Sequence, residues 1–350
     1  MEQQDLRSQK GEIEFRRLLV RQQVEGAAIF EDELDASQMS HLLEARMHDT
    51  ARRIREIGRS GVPLAPYLEI GAERGQRSLV LENDLGLHGA AADISFDMLE
   101  SCAHWGRVFQ RPKMPLRLCC DIYNLPFRAD SLPFVFCYET LHHFPDPGPI
   151  LLEVRRVLAP GGTFFFEEEP FRRVLRQKFF RAPKTPDPGA GPIARGLHRI
   201  VRFFSEPTYN EVSYGIIENH SISLAEWRER LAAFEDRDVT LSSLGNRFRS
   251  RLYGFSNPIT YTVNYLVGGS VGGVCRKRGS LTHPARTIEE AVACPHCLRQ
   301  GAERDLSPGG DALICHGCGT RYPVRDGVAF LLAPAKLAEL YPELATGLAS

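Results

Sequence analysis

Short apolar segments alternate with segments of helical periodicity in the middle of the chain, between residues 62 and 170. The apolar runs predict five strands, at 67–70, 89–93, 116–120, 133–138 and 162–167. Segments 76–83 and 149–158 have apolar residues at helical spacing, and Pro160 and Gly161 end the second of them. This strand–helix alternation predicts an α/β fold with a Rossmann-like, doubly wound and mostly parallel sheet.

The segments on either side have different patterns. Residues 1–60 carry apolar positions near helical spacing among many charges, which predicts an N-terminal helical segment with a packing or lid role. Ser223 and Glu226 form a capping-box sequence ahead of an amphipathic helix. Runs at 239–244 and 261–275 are expected to complete a seven-stranded sheet. The predicted domains are the helical segment at 1–60, a main domain at 61–285 with an insertion at 171–220, and a small module at 286–350.

Composition and charge narrow the class of protein. The 350 residues are 43% hydrophobic and 25% charged, which is ordinary for a globular chain. A net charge of −1 excludes a globally basic nucleic-acid coat and a strongly acidic tail protein, but it leaves room for a local patch. No apolar run approaches the roughly 20 residues of a membrane helix, and the N-terminus lacks a signal-like apolar stretch. We therefore expect a cytoplasmic location.

A glycine turn and two acidic residues follow the first three predicted strands. The segment Glu69-Ile-Gly-Ala-Glu-Arg-Gly75 opens a helix, and backbone N–H groups at such a turn suit a nucleotide-like ligand. Asp93 lies 22 residues after Gly71, where a carboxylate can accept both ribose hydroxyls. Asp121 ends the third strand and can receive an adenine amino group. The simpler alternatives are a tight turn for the glycines and helix N-caps for the acids.

Five motifs follow one another in a recognisable order. They are Glu69-Ile-Gly-Ala-Glu-Arg-Gly75, Ala92-Asp93-Ile-Ser95, Asp121-Ile-Tyr-Asn-Leu-Pro-Phe127, Leu141-His-His-Phe-Pro-Asp146 and Glu153-Val-Arg-Arg-Val-Leu-Ala-Pro-Gly-Gly162. Together they resemble class I S-adenosylmethionine-dependent methyltransferases, in the broad group that includes small-molecule and quinone methylases. The resemblance is close over 62–170 and loose over 210–275. It implies S-adenosylmethionine as the cofactor.

The resemblance also implies a role for each matching residue. The methionine part of the cofactor would be bordered by Gly71 and Gly75, with Glu69 organising their loop. The resemblance further implies that Asp93, with Ile94 beside it, contacts the ribose. Asp121 and the Ile122 backbone would contact the adenine, and Tyr138 would lie beside the sulfonium.

One position departs from the family pattern. The family usually has glycine where this chain has Glu73. A left-handed backbone there costs a non-glycine residue on the order of 1 kcal/mol. We therefore expect a reshaped loop, or neutralisation of Glu73 by Arg74 or Arg77.

Methyl transfer is an in-line displacement, for which the protein mainly aligns acceptor and methyl group and excludes water. A general base helps only where the acceptor is a hydroxyl or a similar acid. The candidates near the carboxyl edge of the sheet are His142, His143, His220 and the three acids Glu167–Glu169 after the fifth strand. The alternatives are a structural role for the histidine pair and a solvated strand end for the acids. Our hypothesis is that His142 or Glu168 assists the acceptor.

A strongly basic segment lies within the insertion. Residues 171–202 carry nine basic residues and one acidic residue, a formal charge of +8, so the rest of the chain carries −9. Phenylalanines are interspersed through 171–204. A solvated helix face with a proline-rich linker would explain this composition. The other interpretations are an anionic substrate such as a phosphorylated or lipid-linked sugar, a membrane surface, or RNA.

The nine cysteines are unevenly distributed, and four of them form two Cys-x-x-Cys pairs near the C-terminus. Cys294 and Cys297 are separated from Cys315 and Cys318 by 17 residues, a spacing typical of a four-thiolate zinc site. A rubredoxin-like iron site and a redox dithiol are the alternatives. Four protein ligands leave no open position, so we expect the zinc to be structural.

The residues after the second pair add a second resemblance. The run Tyr322-Pro-Val-Arg-Asp-Gly-Val328 follows the cysteines, and residues 290–340 resemble the small zinc-ribbon activator subunit that partners tRNA, rRNA and release-factor methyltransferases. This implies intramolecular contact between a zinc ribbon and the main domain. We interpret the chain as a methyltransferase acting on a small molecule or a glycan or lipid-linked intermediate. The alternatives are an RNA or protein methyltransferase and a non-catalytic scaffold.

Overall fold

A computed structural model describes residues 2–24, 36–175, 177–181, 191–206, 210–244, 246–281 and 284–345. Its N-terminal part contains two long helices, α1 (Glu2–Val24) and α2 (Ala36–Arg59), which confirms the helical segment. Both helices bury an apolar face. Phe15 of α1 and Leu43 of α2 pack into one cluster with Trp105 of the main domain. The N-terminal helices therefore lie against the main domain and share its core.

Parallel strands form the centre of the sheet. They are β1 (Tyr67–Ile70), β2 (Gly89–Asp93), β3 (Leu116–Cys120), β4 (Leu132–Tyr138) and β5 (Leu158–Phe171). The helices that connect them are α3 (Gln76–Asp84), α4 (Phe96–Val108) and α5 (Gly148–Val157). Every residue of β1 and β4 is buried, as expected of parallel strands covered on both faces. The chain runs outwards from β1 in both directions, with β2 and β3 on one side and β4 and β5 on the other. This reversal of strand order creates a crevice beyond the carboxyl end of β1, where such folds bind ligands.

The chain then completes the far edge of the sheet. The next elements are β6 (Gln177–Arg181), α6 (Pro192–Phe204), β7 (Ser205–Glu206), α7 (Leu224–Arg230), β8 (Asp236–Ser243), β9 (Phe248–Arg251), α8 (Pro258–Val267) and β10 (Gly269–Arg276). Strands β6 and β7 form a separate two-stranded sheet, whereas β10 pairs antiparallel with both β5 and β8. The capping box at the start of α7 is confirmed, because the Ser223 and Glu226 side chains each accept a hydrogen bond from the other's backbone N–H.

The structure corrects two local predictions. The run at 261–275 is not one strand: Asn257 caps α8, which extends to Val267, and β10 begins only at Gly269. The acids Glu167–Glu169 lie inside β5 rather than after it, because antiparallel pairing with β10 continues the strand to Phe171.

The C-terminal module extends the same sheet from its other edge. Its elements are α9 (Ile288–Ala291), α10 (Pro295–Leu298), β11 (Ser307–Pro308), β12 (Ala312–Ile314), β13 (Arg321–Arg325), β14 (Val328–Leu331), α11 (Pro334–Leu340) and α12 (Pro342–Ala345). Strand β14 pairs in parallel with β3, from Val328 opposite Arg117 to Leu331 opposite Cys120. The result is a twelve-stranded sheet in the order β11-β12-β13-β14-β3-β2-β1-β4-β5-β10-β8-β9. The α/β class is confirmed, but the count of seven strands is wrong, because the module and β9 both add to the sheet.

Candidate functional site

A cavity of about 360 Å³ lies at the carboxyl ends of the central strands. This is within the range of small-molecule sites, about 300–1,000 Å³. The residues of its wall that the sequence singled out are Gly71, Glu73, Arg77, Asp93, Ile94, Asp121, Ile122, Tyr138, His142, His143 and His220. Glu69 and Gly75 lie behind this wall, and Glu168 is not among the residues that form it.

The loop after β1 has an unusual backbone. Gly71, Glu73 and Gly75 all adopt left-handed φ angles, of 64°, 53° and 65°. A Cβ atom at Gly71 would lie 2.3 Å from Oγ1 of Thr140, so only glycine fits at this turn. Glu73 carries the strain that the sequence led us to expect.

The charge of Glu73 is compensated within the structure. Arg74 Nη1 lies 2.6 Å from Glu73 Oε1, and Arg16 of α1 approaches the same oxygen at 3.7 Å. Burial opposes ionisation of Glu73, but these guanidinium groups outweigh it and lower its pKa to about 2. Both arginines expected to neutralise Glu73, Arg74 and Arg77, therefore lower its pKa, and Arg16 adds an unexpected contribution.

Glu69 anchors the loop from behind. Its Oε2 accepts hydrogen bonds from the Ser78 backbone N–H at 3.0 Å and from Ser78 Oγ at 2.6 Å. Burial raises the pKa of Glu69 to about 7. These bonds tie the end of β1 to the first turns of α3 and so fix the loop between them.

Asp93 and Asp121 present carboxylates to the cavity. Asp93 accepts hydrogen bonds from the backbone N–H groups of Glu73 at 2.8 Å and Ser95 at 2.9 Å. Burial raises the pKa of Asp93 to about 6, and nearby Glu12 adds to this effect. Asp121 accepts from the Tyr123 backbone N–H at 3.1 Å. Both acids therefore cap their turns and also line the cavity.

Helix α1 contributes one wall of the cavity. Ser8, Gln9, Glu12 and Arg16 line it, and Gln9 Nε2 donates to Asp121 Oδ1 at 3.2 Å. The sequence pattern did not single out these four residues. The available signal was the polar face that α1 keeps alongside its buried apolar face, but a solvated helix has the same pattern.

A cluster of histidines and glutamates forms the other end of the cavity. Glu169, fully buried in β5, accepts hydrogen bonds from the backbone N–H groups of Thr140, Leu141 and His142 at 2.7, 2.9 and 3.1 Å. Its Oε2 also lies 3.0 Å from His142 Nδ1. Burial opposes the charge of Glu169, but these hydrogen bonds outweigh it and lower its pKa. Glu169 therefore holds both the turn after β4 and the His142 ring.

Glu218 connects three imidazole rings. Its carboxylate lies 3.2 Å from His143 Nδ1, 3.0 Å from His220 Nε2 and 3.6 Å from His142 Nε2. Burial alone would lower the pKa of His143, but the hydrogen bond to Glu218 outweighs it and raises the pKa to about 9. The three histidines were predicted from sequence but Glu218 was not, since an isolated glutamate in a loop carries no signal of its own.

Glu168 occupies a different environment from its two neighbours. Its side chain is 51% exposed and approaches Arg77 at 4.0 Å, while its own φ is +66°. Glu167 pairs with Arg53 of α2. The structure therefore separates the three acids and brings Glu169, not Glu168, to the histidine cluster.

The four cysteines of the C-terminal module converge on one point. All four Sγ atoms lie within 4.8 Å of one another, and the pairs Cys294–Cys318 and Cys297–Cys315 are each 3.7 Å apart. A zinc tetrahedron with Zn–S bonds of about 2.3 Å has edges of about 3.8 Å. The arrangement therefore fits a four-thiolate zinc ion.

The zinc-ribbon module contacts the cavity-forming loops directly. Lys336 Nζ of α11 lies 2.6 Å from Asp121 Oδ2. The Tyr341 hydroxyl donates to the Ile94 carbonyl at 2.6 Å and accepts from the Phe96 N–H at 3.0 Å. The module thus supports the loops that follow β2 and β3.

Comparison with known families agrees with this architecture. Residues 68–166 match the model of a methyltransferase domain, and residues 287–327 match the model of Trm112p-like protein. The chain carries a methyltransferase domain followed by a Trm112p-like domain. The methyltransferase match covers β1 to β5, and the Trm112p-like match covers the four cysteines and β11 to β13. Both resemblances seen in the sequence are confirmed.

Individual relatives are similar to parts of the chain. An uncharacterized chloroplastic methyltransferase of Arabidopsis thaliana is 31% identical over 115 residues, 29% of this chain and 32% of that protein. A malonyl-(acyl-carrier protein) O-methyltransferase of Alcanivorax borkumensis is 29% identical over 145 residues, 41% of this chain and 38% of that protein. The chain thus spans about a third of the length of these curated relatives.

One solved structure is similar to this chain over most of that structure's own length. It is a chain from the complex between the Haloferax volcanii Trm112 methyltransferase activator and a methyltransferase, with 18% sequence identity and a TM-score of 0.38. The similarity covers 67% of this chain and 94% of that one.

Proposed function

We propose that this protein is an S-adenosylmethionine-dependent methyltransferase. The observation that carries the proposal is the meeting of Gly71, Asp93 and Asp121 around one cavity at the reversal of strand order, within the domain that matches the methyltransferase family. A left-handed glycine turn admits a ligand close to the backbone, and carboxylates at the ends of the next two strands suit ribose hydroxyls and an adenine amino group.

The residues of the cavity wall fit this cofactor. Asp93 would accept hydrogen bonds from the ribose, and Asp121 with the Ile122 backbone would hold the adenine. Gly71 is required at this turn because the Thr140 side chain packs against it, and its backbone would border the methionine chain, with Gly75 and Glu69 shaping the turn from behind. When bound, the cofactor supplies a methyl group on a sulfonium, which an acceptor takes while the electrons of the broken C–S bond stay on sulfur.

The acceptor would lie at the histidine end of the cavity. Tyr138 also lines the cavity, and the Arg77 guanidinium lies 4.2 Å from the centre of its ring. His142, held in place by Glu169, would activate an acceptor hydroxyl or amine, whose proton must leave as the new bond to carbon forms. We assign no part in this step to Glu168, because its side chain does not reach the cavity.

We propose a small molecule, or the sugar of a glycan or lipid-linked intermediate, as the acceptor. The cavity volume of about 360 Å³ supports a small acceptor group. The Trm112p-like domain favours RNA or protein as the second candidate. A screen for transfer of a labelled methyl group to fractionated cell extract separates these classes, since label in the small-molecule, lipid, RNA or protein fraction names the acceptor directly.

Cofactor affinity should depend on pH through Asp93. Only the ionised carboxylate can accept from both ribose hydroxyls, and burial raises the pKa of Asp93 to about 6. We expect the affinity for S-adenosylhomocysteine to be constant above pH 7 and to fall about tenfold per pH unit well below pH 6. Titration calorimetry between pH 5 and pH 8 measures this dependence.

Two variants complete this test. Asp93→Asn should bind at least tenfold more weakly at pH 8 and lose the pH dependence, whereas Asp84→Asn, at a surface pair with Arg111, should behave as the wild type. No binding of S-adenosylmethionine or its product at any pH would favour the non-catalytic scaffold.

The basic insertion contains an amphipathic helix that suits a membrane surface. In α6, Ile193, Leu197, Ile200 and Val201 recur at helical spacing and are exposed by 90%, 61%, 59% and 40%. The segment around them carries a formal charge of +8. An apolar helix face flanked by basic residues is typical of helices that lie in the interface of anionic membranes. None of the described helices is both long and apolar enough to cross a bilayer. We therefore propose peripheral contact with a membrane through 171–204.

The triple variant Ile193→Ser/Leu197→Ser/Ile200→Ser should lose this contact. Burying each such side chain contributes about 1.5–3 kcal/mol, so binding to phosphatidylglycerol vesicles should weaken at least tenfold in a pelleting assay. Phe255→Ser is the matched control, because Phe255 is 94% exposed outside α6. Equal pelleting of both variants, or binding of RNA but not of vesicles in a shift assay, would contradict the membrane proposal.

A further inference from the structure

We propose that His142, Glu218 and His220 bind a divalent transition-metal ion at the acceptor end of the cavity. Each side chain offers one ligand atom, and the three atoms lie within 4.8 Å of one another. All three residues line the cavity. They come from two segments, the turn after β4 and the loop before α7, which are joined by a hydrogen bond from the Asn219 N–H to the His142 carbonyl at 2.8 Å.

The surrounding groups orient these side chains as metal ligands require. Glu169 lies 3.0 Å from His142 Nδ1 and is itself held by backbone N–H groups, so the other ring nitrogen, Nε2, faces Glu218. A metal-binding histidine almost always donates its second N–H to such a carboxylate or carbonyl group. The Glu169–His142 pair reproduces this arrangement inside the protein core.

Glu218 is oriented in a similar way. His143 Nδ1 lies 3.2 Å from its Oε1. The other oxygen, Oε2, lies 3.0 Å from His220 Nε2 and 3.6 Å from His142 Nε2. Ligand atoms around one ion at about 2.1 Å are typically about 3 Å apart. The two distances from Glu218 Oε2 to the histidine nitrogens, 3.0 and 3.6 Å, therefore suit ligands of one ion, and the third pair of ligand atoms lies within 4.8 Å.

This ligand set differs from the cysteine site in the metal ions that it suits and in the coordination positions that it leaves open. Two imidazoles and one carboxylate suit Zn²⁺, Fe²⁺ or Co²⁺ and leave coordination positions open, whereas four thiolates form a closed structural zinc site. An open position facing the cavity can take an oxygen donor of the acceptor. Zn²⁺ and its neighbours lower the pKa of a bound hydroxyl.

This role in the reaction rests on the proposed function, whereas metal binding does not. The acceptor hydroxyl would bind the ion through oxygen and release its proton to water. The oxygen would then form its bond to the methyl carbon as the C–S bond breaks. In this arrangement His142 activates the acceptor as a ligand of the ion.

Cobalt titration of the full chain tests the site. The full chain is loaded with one equivalent of Zn²⁺, which fills the four-thiolate site, and is then desalted, titrated with CoCl₂ and followed by visible absorption. We expect one Co²⁺ per chain, with ligand-field bands and without the intense sulfur-to-cobalt charge-transfer band that thiolate ligands produce. Glu218→Gln and His220→Ala should each weaken Co²⁺ binding at least tenfold. His104→Ala, an exposed histidine on α4, should leave it unchanged.

The outcomes separate this inference from the proposed function. Three results would overturn the metal site and leave an ion-paired histidine cluster. They are the absence of Co²⁺ uptake, a spectrum with only the sulfur-to-cobalt band, and an equal affinity for Co²⁺ in Glu218→Gln, His220→Ala and wild type. Calorimetry with S-adenosylhomocysteine on the same samples reports the cofactor site alone. If the protein binds S-adenosylhomocysteine but takes up no Co²⁺, the metal site is refuted. If it takes up Co²⁺ but does not bind S-adenosylhomocysteine, the methyltransferase proposal is refuted and the metal site is supported.

Discussion

Replacing Cys315 with alanine is expected to release the zinc ion, unfold the Trm112p-like domain and destabilise the methyltransferase domain with it. A structural zinc site contributes on the order of 10 kcal/mol to the folding of a small module. In this chain the effect should extend beyond the module, because β14 forms four residue pairs with β3 of the central sheet.

The loss of two further contacts should extend the destabilisation to the cofactor site. Lys336 would no longer pair with Asp121, and Tyr341 would no longer bridge the Ile94 carbonyl and the Phe96 N–H. Leu332 and Leu337 also pack in one apolar cluster with Leu99 of α4. Losing these contacts exposes one edge of the sheet and removes the support of the loops that carry Asp93 and Asp121. We therefore expect the affinity for S-adenosylhomocysteine to fall at least tenfold.

Three measurements check this prediction against a matched control. Cys275→Ala removes an equally buried thiol outside the zinc cluster. Elemental analysis should find one zinc per chain in wild type and Cys275→Ala, and none in Cys315→Ala. The thermal midpoint should fall by about 10 °C or more in Cys315→Ala, since a loss of 1 kcal/mol shifts a domain of this size by about 2–4 °C. A zinc-free variant with an unchanged midpoint and unchanged nucleoside affinity would show that the two domains are energetically independent.

The strand ends of the methyltransferase domain could be predicted from sequence because each motif is local. Gly71, Asp93 and Asp121 follow buried apolar runs, and parallel strands bring their carboxyl ends to one edge. The convergence of the four cysteines could be predicted for the same reason, since their spacing determines the two pairs. Where chemistry depends on a few neighbouring residues, pattern and structure agree.

The remaining features depend on pairings between distant segments. Nothing local in 328–331 indicates that it joins β3, more than 200 residues earlier, so the extended sheet could not be predicted. The contribution of α1 to the cavity wall and the position of Glu218 beside His142 likewise depend on tertiary contacts. The three acids of β5 show the limit most clearly. Their order in the sequence does not reveal that the irregular pairing with β10 exposes Glu168 and buries Glu169.

Replacing Glu169 with alanine should cost the fold about 3–5 kcal/mol, the usual cost of removing one partner from a buried charged network. The variant leaves three backbone N–H groups of the turn after β4 without their acceptor and leaves His142 Nδ1 without its partner. Chemical denaturation at pH 7 measures the loss. The deficit should shrink as the pH falls below the ordinary carboxyl pKa of 4.5, because the lowered pKa of Glu169 stabilises the folded state only while the group is ionised.

Glu168→Ala is the matched control for this prediction, since it makes the same change one residue earlier. The Glu168 side chain is half exposed and burial raises its pKa, so the folded state gains nothing from its charge. We expect Glu168→Ala to change the free energy of unfolding by less than about 0.5 kcal/mol. The turn after β4 should also lose its order in Glu169→Ala alone, seen as faster amide exchange at Thr140 and Leu141. If both variants unfold at the same denaturant concentration, Glu169 does not hold the turn, and the orientation of His142 must come from its contacts with the loop before α7.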